Sequence, residues 1–568
     1  MPDADVREQA YAWIAGDLDE QDRAELTALL ADESAGAAGA AAELADRFAR
    51  RLSFGTAGLR GVVAAGPNRM NKATVTATTA ALASWLLKRD PDAAEAGVVV
   101  GCDARHRSDE FAAQTARVLA GAGIRVHMLP GREPTPFLAY SIRHFQAAAG
   151  VMITASHNPA PDNGYKLYLS DGAQIVPPAD TDIEAAIAAI GPLAGIPVAP
   201  ADSPLITRYG QEVTQAYLDA IMGELGQAPA SAAWLRFAYT PLHGVAGRLA
   251  LRAFGQAGFA APDVVDAQLE PDPDFPTVRF PNPEEPGALD LAMALARRTG
   301  ADLVIANDPD GDRLAVAIPD VSAPGGYRQL TGDQVGALLG AFLLSRLAAD
   351  PSTDMARQLM VSTVVSGSLL AKITAAAGAQ YAQTLTGFKW IVRAADLRED
   401  VRFAFGYEEA LGYAVTSAVR DKDGISAALA VLSLAAAGRS TGTSLQDAYD
   451  ALEVAHGVHL TAQITLPTEA TVEVMSRLRA AAPGELAGEA VTSVTDYSGG
   501  NGELPSADML TFELPGARVV IRPSGTEPKI KAYLEVVELV VGRTLDAARS
   551  DAGKKMHMLR AAVGELLG

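Results

Sequence analysis

Along the chain, runs of apolar strand residues lead into polar, glycine-bearing turns, and strand and helix patterns alternate between them. The first series reads "GVVVGCD" from residue 97, a helical pattern around "DEFAAQTARVLAGAG", "RVHML", a second helix at "FLAYSIRHF", and the strand "AAAGVMIT". The alternation returns at "WLRFAYT", "RLALRAFGQAG", "DVVDA", "DLAMALARRTG" and "ADLVIAN", and again from "DQVGALLGAFLLSRL" through "QLMVSTVV" and "SLLAKITAAAG" to "VRFAFGYEEALGY". Such alternation predicts α/β units built on parallel or mixed sheets, here three in series. After about residue 456 the pattern changes to "VHLTAQITLP", a helix near "VEVMSRLRAAA", "ARVVIRPSG" and "KIKAYLEVVEL", which predicts a smaller α+β domain. Residues 1–50 carry Tyr11, Trp13, Ile14, Leu18, Leu26, Leu29 and Leu30 at helical spacing and read as leading helices. The expected divisions are 1–205, 206–320, 321–455 and 456–568, with proline-rich joints at 195–205 and 319–328.

A length of 568 residues suits several domains of roughly 100 to 200 residues each. The 47 basic and 68 acidic residues leave a formal charge of -21, which argues against a nucleic acid or an anionic membrane as the main partner. An anionic small molecule must then meet a local basic pocket. The single cysteine, Cys102, rules out an intrachain disulfide and fits a reducing compartment. The start "MPDADVREQA" lacks a signal pattern, and no unbroken apolar run reaches the roughly 18 residues of a membrane span, so a soluble, cytoplasmic protein is expected.

The turns carry the chemistry. In open α/β sheets ligands collect at the carboxyl ends of strands, so "TASHNP", "NDPDGDR" and "GYEEALGY" are candidates for one shared cleft. Asp308, Asp310 and Asp312 stand at alternate positions between two apolar strands, a density of hard oxygens that suits Mg²⁺ or Ca²⁺. The opening resembles a calcium-binding EF-hand loop, but Arg313 stands where that loop needs glycine and Pro319 where it needs glutamate. A divalent site that also touches phosphate, with Arg313 as anion ligand, fits better than a solvated acidic turn. "VVIRPSGTEPKIK" combines Arg522, Ser524, Gly525 and Thr526 with Lys529 and Lys531, a planar fork and short donors that suit a phosphate. The paired Glu408 and Glu409 offer acceptors to neighbouring sugar hydroxyls, or simply line a helix face.

Ser156 admits three chemistries. Its flanks, Thr154 and Asn158, do not make a hydrolase elbow. Adjacency to His157 does not by itself make a dyad, because neighbouring side chains usually point apart. The third is a serine that carries a phosphoryl group against a divalent cation at Asp308.

Taken in order, "TASHNP", "DPDGDR", "GYEEALG" and "RPSGTEP" closely resemble the α-D-phosphohexomutase superfamily, which includes phosphoglucomutase and phosphomannomutase. "FGTAGLRG", "DARHRS", "DNGYKLY", "TPLHGV", "PNPEEPGAL", "TGFKW" and "DKDG" add to the likeness, which runs from about residue 50 to the end. The resemblance implies four domains, three related α/β units plus a C-terminal α+β domain around a central cleft. It implies that Ser156 is the phosphoserine and that Asp308, Asp310, Asp312 and the serine oxygen hold Mg²⁺. It implies that Arg60 and Lys166, with His157 beside the serine, serve proton transfer and charge stabilisation. Arg313, Thr386, Gly387, Lys389, Glu408 and Lys422 match ligand contacts, and Arg522, Ser524, Gly525 and Thr526 match the loop that grips the idle phosphate.

The implied reaction is a phospho-sugar mutase passing through a phosphoserine enzyme and a bisphosphate intermediate, with glucose 1,6-bisphosphate as activator. Glucose 1-phosphate and glucose 6-phosphate are the main expected pair, with phosphopentomutase or phosphomannomutase activity as the alternative. A Mg²⁺-dependent sugar phosphatase and a non-catalytic sugar-phosphate sensor are the remote ones. Many phosphoglucomutases have serine two residues after the first glutamate of the sugar loop, where this chain has Ala410. "FGYEEALGY", "TGFKW" and "DARHRS" resemble the branch with the type-2 phosphoglucomutases, some of which prefer phosphopentoses.

Overall fold

The computed structural model describes residues 4–55, 58–500, 502, 504–524 and 528–568. Residues Met1–Ala228, Ala233–Arg328 and Thr416–Leu429 form one compact unit, and Pro229–Ala232, Gln329–Val415 and Ala430–Gly568 a second. The expected joint at 319–328 ends where the first unit gives way to the second, whereas that at 195–205 lies inside the first. There Arg117 Nε donates to the Ala199 carbonyl and the Ala199 N–H returns a bond to Arg117 O, which pins the segment to the sheet domain.

The first unit holds two mixed sheets. One runs Leu59–Val62, Asp162–Leu169, Ala149–Ile153, Val98–Cys102, Val126–Arg132 and Ile206–Arg208. Its central strands pair in parallel, and Asp162–Leu169 returns antiparallel to Ala149–Ile153. Val98–Cys102 and Ala149–Ile153 are buried along their whole length, as expected of strands covered on both faces. The other sheet runs Tyr327–Gln329, Leu314–Pro319, Leu303–Asn307, Phe237–Thr240 and Asp263–Val264. The strand expected over "DVVDA" shrinks to Asp263–Val264, because at this edge only Ala238 and Tyr239 offer it partners before the chain turns into the helix Asp266–Leu269.

The leading helices are Ala4–Gly16, Glu20–Ser34 and Ala40–Phe48. They close a small core of Ala10, Leu26, Leu30, Leu44 and Phe48 against Ala65. Tyr11 and Leu18 stay exposed, so the apolar face is narrower than the spacing suggested.

In the second unit a four-stranded sheet runs Gln380–Thr384, Gln358–Thr363, Arg402–Glu408 and Gly412–Ala414, parallel but for the last pair. Beside it in sequence, an antiparallel five-stranded sheet is formed by Val458–Pro467, Lys529–Glu538, Ala517–Pro523, Leu510–Leu514 and Ser493–Asp496, with the long helix Leu545–Leu567 packed on it. The helix Gly332–Ala349 starts in a capping box in which the Thr331 hydroxyl and the Gln334 side chain satisfy each other's backbone N–H groups. Among the described residues, Gly424–Thr441 alone is long and apolar enough to cross a membrane, and 56% of it is buried inside the protein, the place of a core helix.

Candidate active site

The apolar strand Ala149–Ile153 ends in a turn whose Ser156 is forced to a φ of 54°. A non-glycine residue takes that left-handed conformation only where its surroundings impose it. Here the Ser156 N–H donates to Thr154 Oγ1 at 2.9 Å. From below, the buried Arg105 donates to the carbonyls of Ser156 (2.6 Å), Asn158 (2.5 Å), Pro159 (2.8 Å) and Asp162 (3.0 Å). The left-handed turn brings Ser156 Oγ within 3.3 Å of His157 Nδ1, so these neighbours meet instead of pointing apart. Burial, with the nearby Arg313 and Arg60 charges, holds the imidazole well below its ordinary pKa and therefore neutral.

The acidic turn joins the antiparallel strands Leu303–Asn307 and Leu314–Pro319. Gly311 sits at a φ of 71° where a Cβ would meet Ala246 Cβ at 2.9 Å, and Gly244 backs the turn so closely that a Cβ would meet Pro309 Cα at 2.4 Å. Glycine is required at both for the loop to seat. Asp308, Asp310 and Asp312 are fully buried, with one carboxylate oxygen from each within 4.8 Å of the others. Ser156 Oγ donates to Asp308 Oδ2 at 3.1 Å, so the first two turns named by the sequence do converge.

Lys166 Nζ lies 2.7 Å from Asp310 Oδ2 and 3.0 Å from Asp312 Oδ2, and Lys422 Nζ lies 3.0 Å from the same Asp312 oxygen. Thr135 donates its hydroxyl to Asp310 Oδ2 at 2.5 Å and its N–H to Asp310 O at 2.9 Å. Burial alone would raise all three carboxyl pKa values. Lys166, through its charge and hydrogen bond, and the Thr135 hydroxyl hold Asp310 well below the usual range. For Asp312 the Asp310 charge adds to burial, yet Lys166, Lys422 and Arg313 outweigh both. Asp308, with burial and two like charges against it, is pushed well up.

Among the described residues, Asp310 Oδ1 and Asp312 Oδ1 are buried without a hydrogen-bond donor. Oxygen-only ligands, negative charge and two carboxylate oxygens without donors fit a hard divalent cation such as Mg²⁺. Arg60 Nη1 donates to Asn158 Oδ1 at 3.2 Å and faces Asp310 and Asp312; burial lowers its pKa and the two carboxylates offset part of that. Arg313 Nη1 forms an ion pair with Glu284 at 2.8 Å. Tyr168 donates to Asp421 at 2.7 Å, beside Lys422.

In the second unit, Arg522 at the end of Ala517–Pro523 donates to the Thr386 hydroxyl. Gly387, at a φ of 108°, precedes the short helix Phe388–Ile391, which carries the buried Lys389 over the Trp390 ring. Glu408 ends the strand Arg402–Glu408. Glu409 accepts from Thr363 (3.2 Å) and Ser366 (3.0 Å), and burial together with the Glu408 charge pushes its carboxyl up to about 7. The Ser524 N–H donates to Lys529 O at 2.8 Å, while Gly525 and Thr526 lie outside the described residues.

Arg105, Thr135 and Tyr168 were not singled out from the sequence. Arg105 and Tyr168 stand in the quoted "DARHRS" and "DNGYKLY", so a motif marked them without showing what they touch. Nothing local marks Thr135.

Residues 51–193, 215–322, 331–454 and 464–550 match, in order, the alpha/beta/alpha domains I, II and III and the C-terminal domain of phosphoglucomutase/phosphomannomutase. The chain is 41% identical over 476 residues to a probable phosphomannomutase of Haemophilus influenzae, covering 82% of this chain and 93% of that protein. It is 35% identical over 569 residues to a probable phosphoribomutase of Schizosaccharomyces pombe, covering 93% of each. A phosphoglucomutase/phosphomannomutase family protein from Burkholderia thailandensis shares the fold with a TM-score of 0.67 at 21% identity, over 90% of this chain and 97% of that one.

Proposed function

The chain belongs to the phosphoglucomutase/phosphomannomutase family, and on that premise we propose that it is a phospho-sugar mutase acting mainly on pentose phosphates, through a phosphorylated Ser156 and a sugar bisphosphate. The observation that carries the mutase reading is the Ser156 hydroxyl held at 3.1 Å from Asp308 in a buried trio of carboxylates. Support for pentose over the glucose expected from the sequence comes from the likeness to a probable phosphoribomutase along almost the whole chain, and from Ala410 in the sugar loop. The 41% identity to a probable phosphomannomutase favours mannose phosphates as the second reading.

Phospho-Ser156 gives its phosphoryl to the free hydroxyl of a sugar monophosphate: the P–Oγ bond breaks, a P–O bond to the sugar forms, and the sugar hydroxyl's proton is replaced on the other side by one that ends on the released Ser156 oxygen. The bisphosphate then turns and presents its other phosphate to the free serine, whose proton returns to the sugar oxygen that this phosphoryl leaves, with His157 Nδ1, 3.3 Å from Ser156 Oγ, beside its path. Lys166 and Arg60 stabilise the charge that builds on the transferring group and serve proton transfer at the sugar oxygen. Asp308, Asp310 and Asp312 with the serine oxygen would hold Mg²⁺, which supplies charge neutralisation to the phosphoryl oxygens. In the second unit Arg522, Thr386 and Ser524 form an anion site suited to a sugar phosphate, and Glu408, Lys389 and Gly387 contact sugar and phosphate oxygens. Arg313 and Lys422 are further ligand contacts beside the carboxylates. The charge of -21 and the single buried cysteine support a cytoplasmic enzyme of small phosphosugars rather than of nucleic acid or membrane.

The deciding assay is a panel of ribose, mannose and glucose 1-phosphates with Mg²⁺ and a trace of glucose 1,6-bisphosphate. The highest kcat/KM on ribose 1-phosphate is expected. A preference for glucose would overturn the substrate reading, and release of inorganic phosphate matching substrate loss would replace the mutase by a phosphatase.

A further inference from the structure

The family match begins at residue 51, yet the start of the helix Glu20–Ser34 before it reaches Arg107, in the turn next to the Ser156 loop. It presents Asp19, the N-cap, and the buried Asp22. Arg107 Nη2 lies 2.8 Å from Asp19 Oδ2 and Nη1 lies 2.5 Å from Asp22 Oδ1. Glu110 takes the remaining edge, at 2.7 Å from Nε, so three carboxylates enclose one guanidinium. Arg107 has a φ of 62°, a left-handed conformation that a non-glycine residue keeps only under such constraint.

Arg107 closes the turn Asp103–Ser108, and the side chain two residues earlier, Arg105, grips four carbonyls of the Ser156 loop. The turn is internally fixed: Asp103 Oδ1 accepts from the Arg105 N–H at 3.0 Å and from the Ser108 hydroxyl at 2.7 Å, and Asn163 donates to His106 O and Ser108 Oγ. Arg107 and Arg105 thus stand on one short, hydrogen-bonded turn. Ser156, itself left-handed, depends on those carbonyl bonds for its aim.

We propose that the N-terminal helices brace the Ser156 loop, with Asp19 and Asp22 fixing Arg107 and Arg105 acting as the positioning residue that aims the serine. The proposal rests on the reading that Ser156 carries the phosphoryl group. Positioning errors well below the size of a side chain cost rate rather than binding, because the reacting oxygen must lie in line with the phosphorus.

The test uses the full chain with Asp19→Asn and Asp22→Asn together, and separately Arg105→Lys. For each, kcat and KM on the preferred sugar 1-phosphate, the rate of Ser156 phosphorylation by glucose 1,6-bisphosphate followed by intact mass, and thermal unfolding are measured. A fall in kcat of about tenfold, a KM within about twofold of wild type and a matching slowing of phosphorylation, without a matching loss of folded protein, are expected. Should the double variant not fold, Arg107→Lys keeps the charge but loses the fork, and the same split is expected. Wild-type kcat in the variants, or a loss no larger than the unfolded fraction, overturns the brace. Ser156→Ala separates the two ideas: turnover in that variant defeats the phosphoserine reading, whereas an inactive Ser156→Ala beside a fully active double variant defeats only the brace.

Discussion

Ser156 and Asp308, 152 residues apart in the chain, meet through a hydrogen bond of 3.1 Å between hydroxyl and carboxylate. The serine comes from the first sheet of the N-terminal unit and the aspartate from the second, so neither sheet alone contains the site.

Ser156→Ala is expected to lower turnover by at least about a thousandfold while leaving sugar-phosphate affinity within a few-fold, since in the proposed mechanism the lost oxygen is the phosphoryl carrier and contributes little to binding. Intact-mass measurement after incubation with glucose 1,6-bisphosphate is expected to show a phosphate on the wild type and none at this position in the variant. Substantial residual turnover sinks the assignment.

Asp310→Asn is expected to weaken Mg²⁺ by at least about tenfold, the lower end of what loss of even an outer-shell partner costs. The domain should stay folded, because one of three crowded buried carboxylates is neutralised while Thr135 keeps an acceptor and Lys166 keeps Asp312. Titration of activity with Mg²⁺ reads this directly, and Ca²⁺, with longer and looser bonds, is expected to compete without supporting equal turnover. Full activity in EDTA contradicts the site.

Arg522→Ala is expected to raise KM for sugar monophosphates by about ten- to hundredfold, the equivalent of roughly 1.5 to 3 kcal/mol for a charge-assisted contact, and to leave Mg²⁺ affinity unchanged. The side chain already points its fork at the Thr386 hydroxyl. An unchanged KM would place phosphate recognition elsewhere.

Glu535 gives a pH prediction for the second unit. Its carboxylate receives the Ser368 N–H (2.6 Å) and hydroxyl (2.8 Å) and Arg518 Nη2 (3.0 Å), with His459 Nδ1 at 2.9 Å. Burial alone would raise its pKa, but the His459 hydrogen bond and the Arg518 charge outweigh it and hold the group at about 2. A depressed carboxyl stabilises the fold above its unfolded value of about 4.3 and loses that contribution as pH falls toward 2. Glu535→Gln is therefore expected to cost on the order of 3 kcal/mol at neutral pH and to flatten the acid side of the stability profile. Equal acid sensitivity in variant and wild type, by denaturant unfolding between pH 5 and about 2, counts against this account.

Much of the architecture was legible because its signals are local. Apolar runs such as "VMIT" and "LVIAN" mark covered strands whatever surrounds them, and the polar turns that follow announce themselves by composition, which is why Ser156 and the three aspartates could be named in advance. The motifs in chain order carried the family. What no local pattern holds is which strand ends come together. The contact of Ser156 with Asp308 follows from how the first two sheets of one unit pack, and the Thr135 bond to Asp310 joins residues 175 apart. Arg105 escaped notice for a second reason: its partners are backbone carbonyls, which every residue has and no sequence position advertises. His157 shows a third. Adjacency left its contact with Ser156 undecided, and only the left-handed backbone at the serine, imposed by bonds from distant parts of the chain, turned the two side chains toward each other.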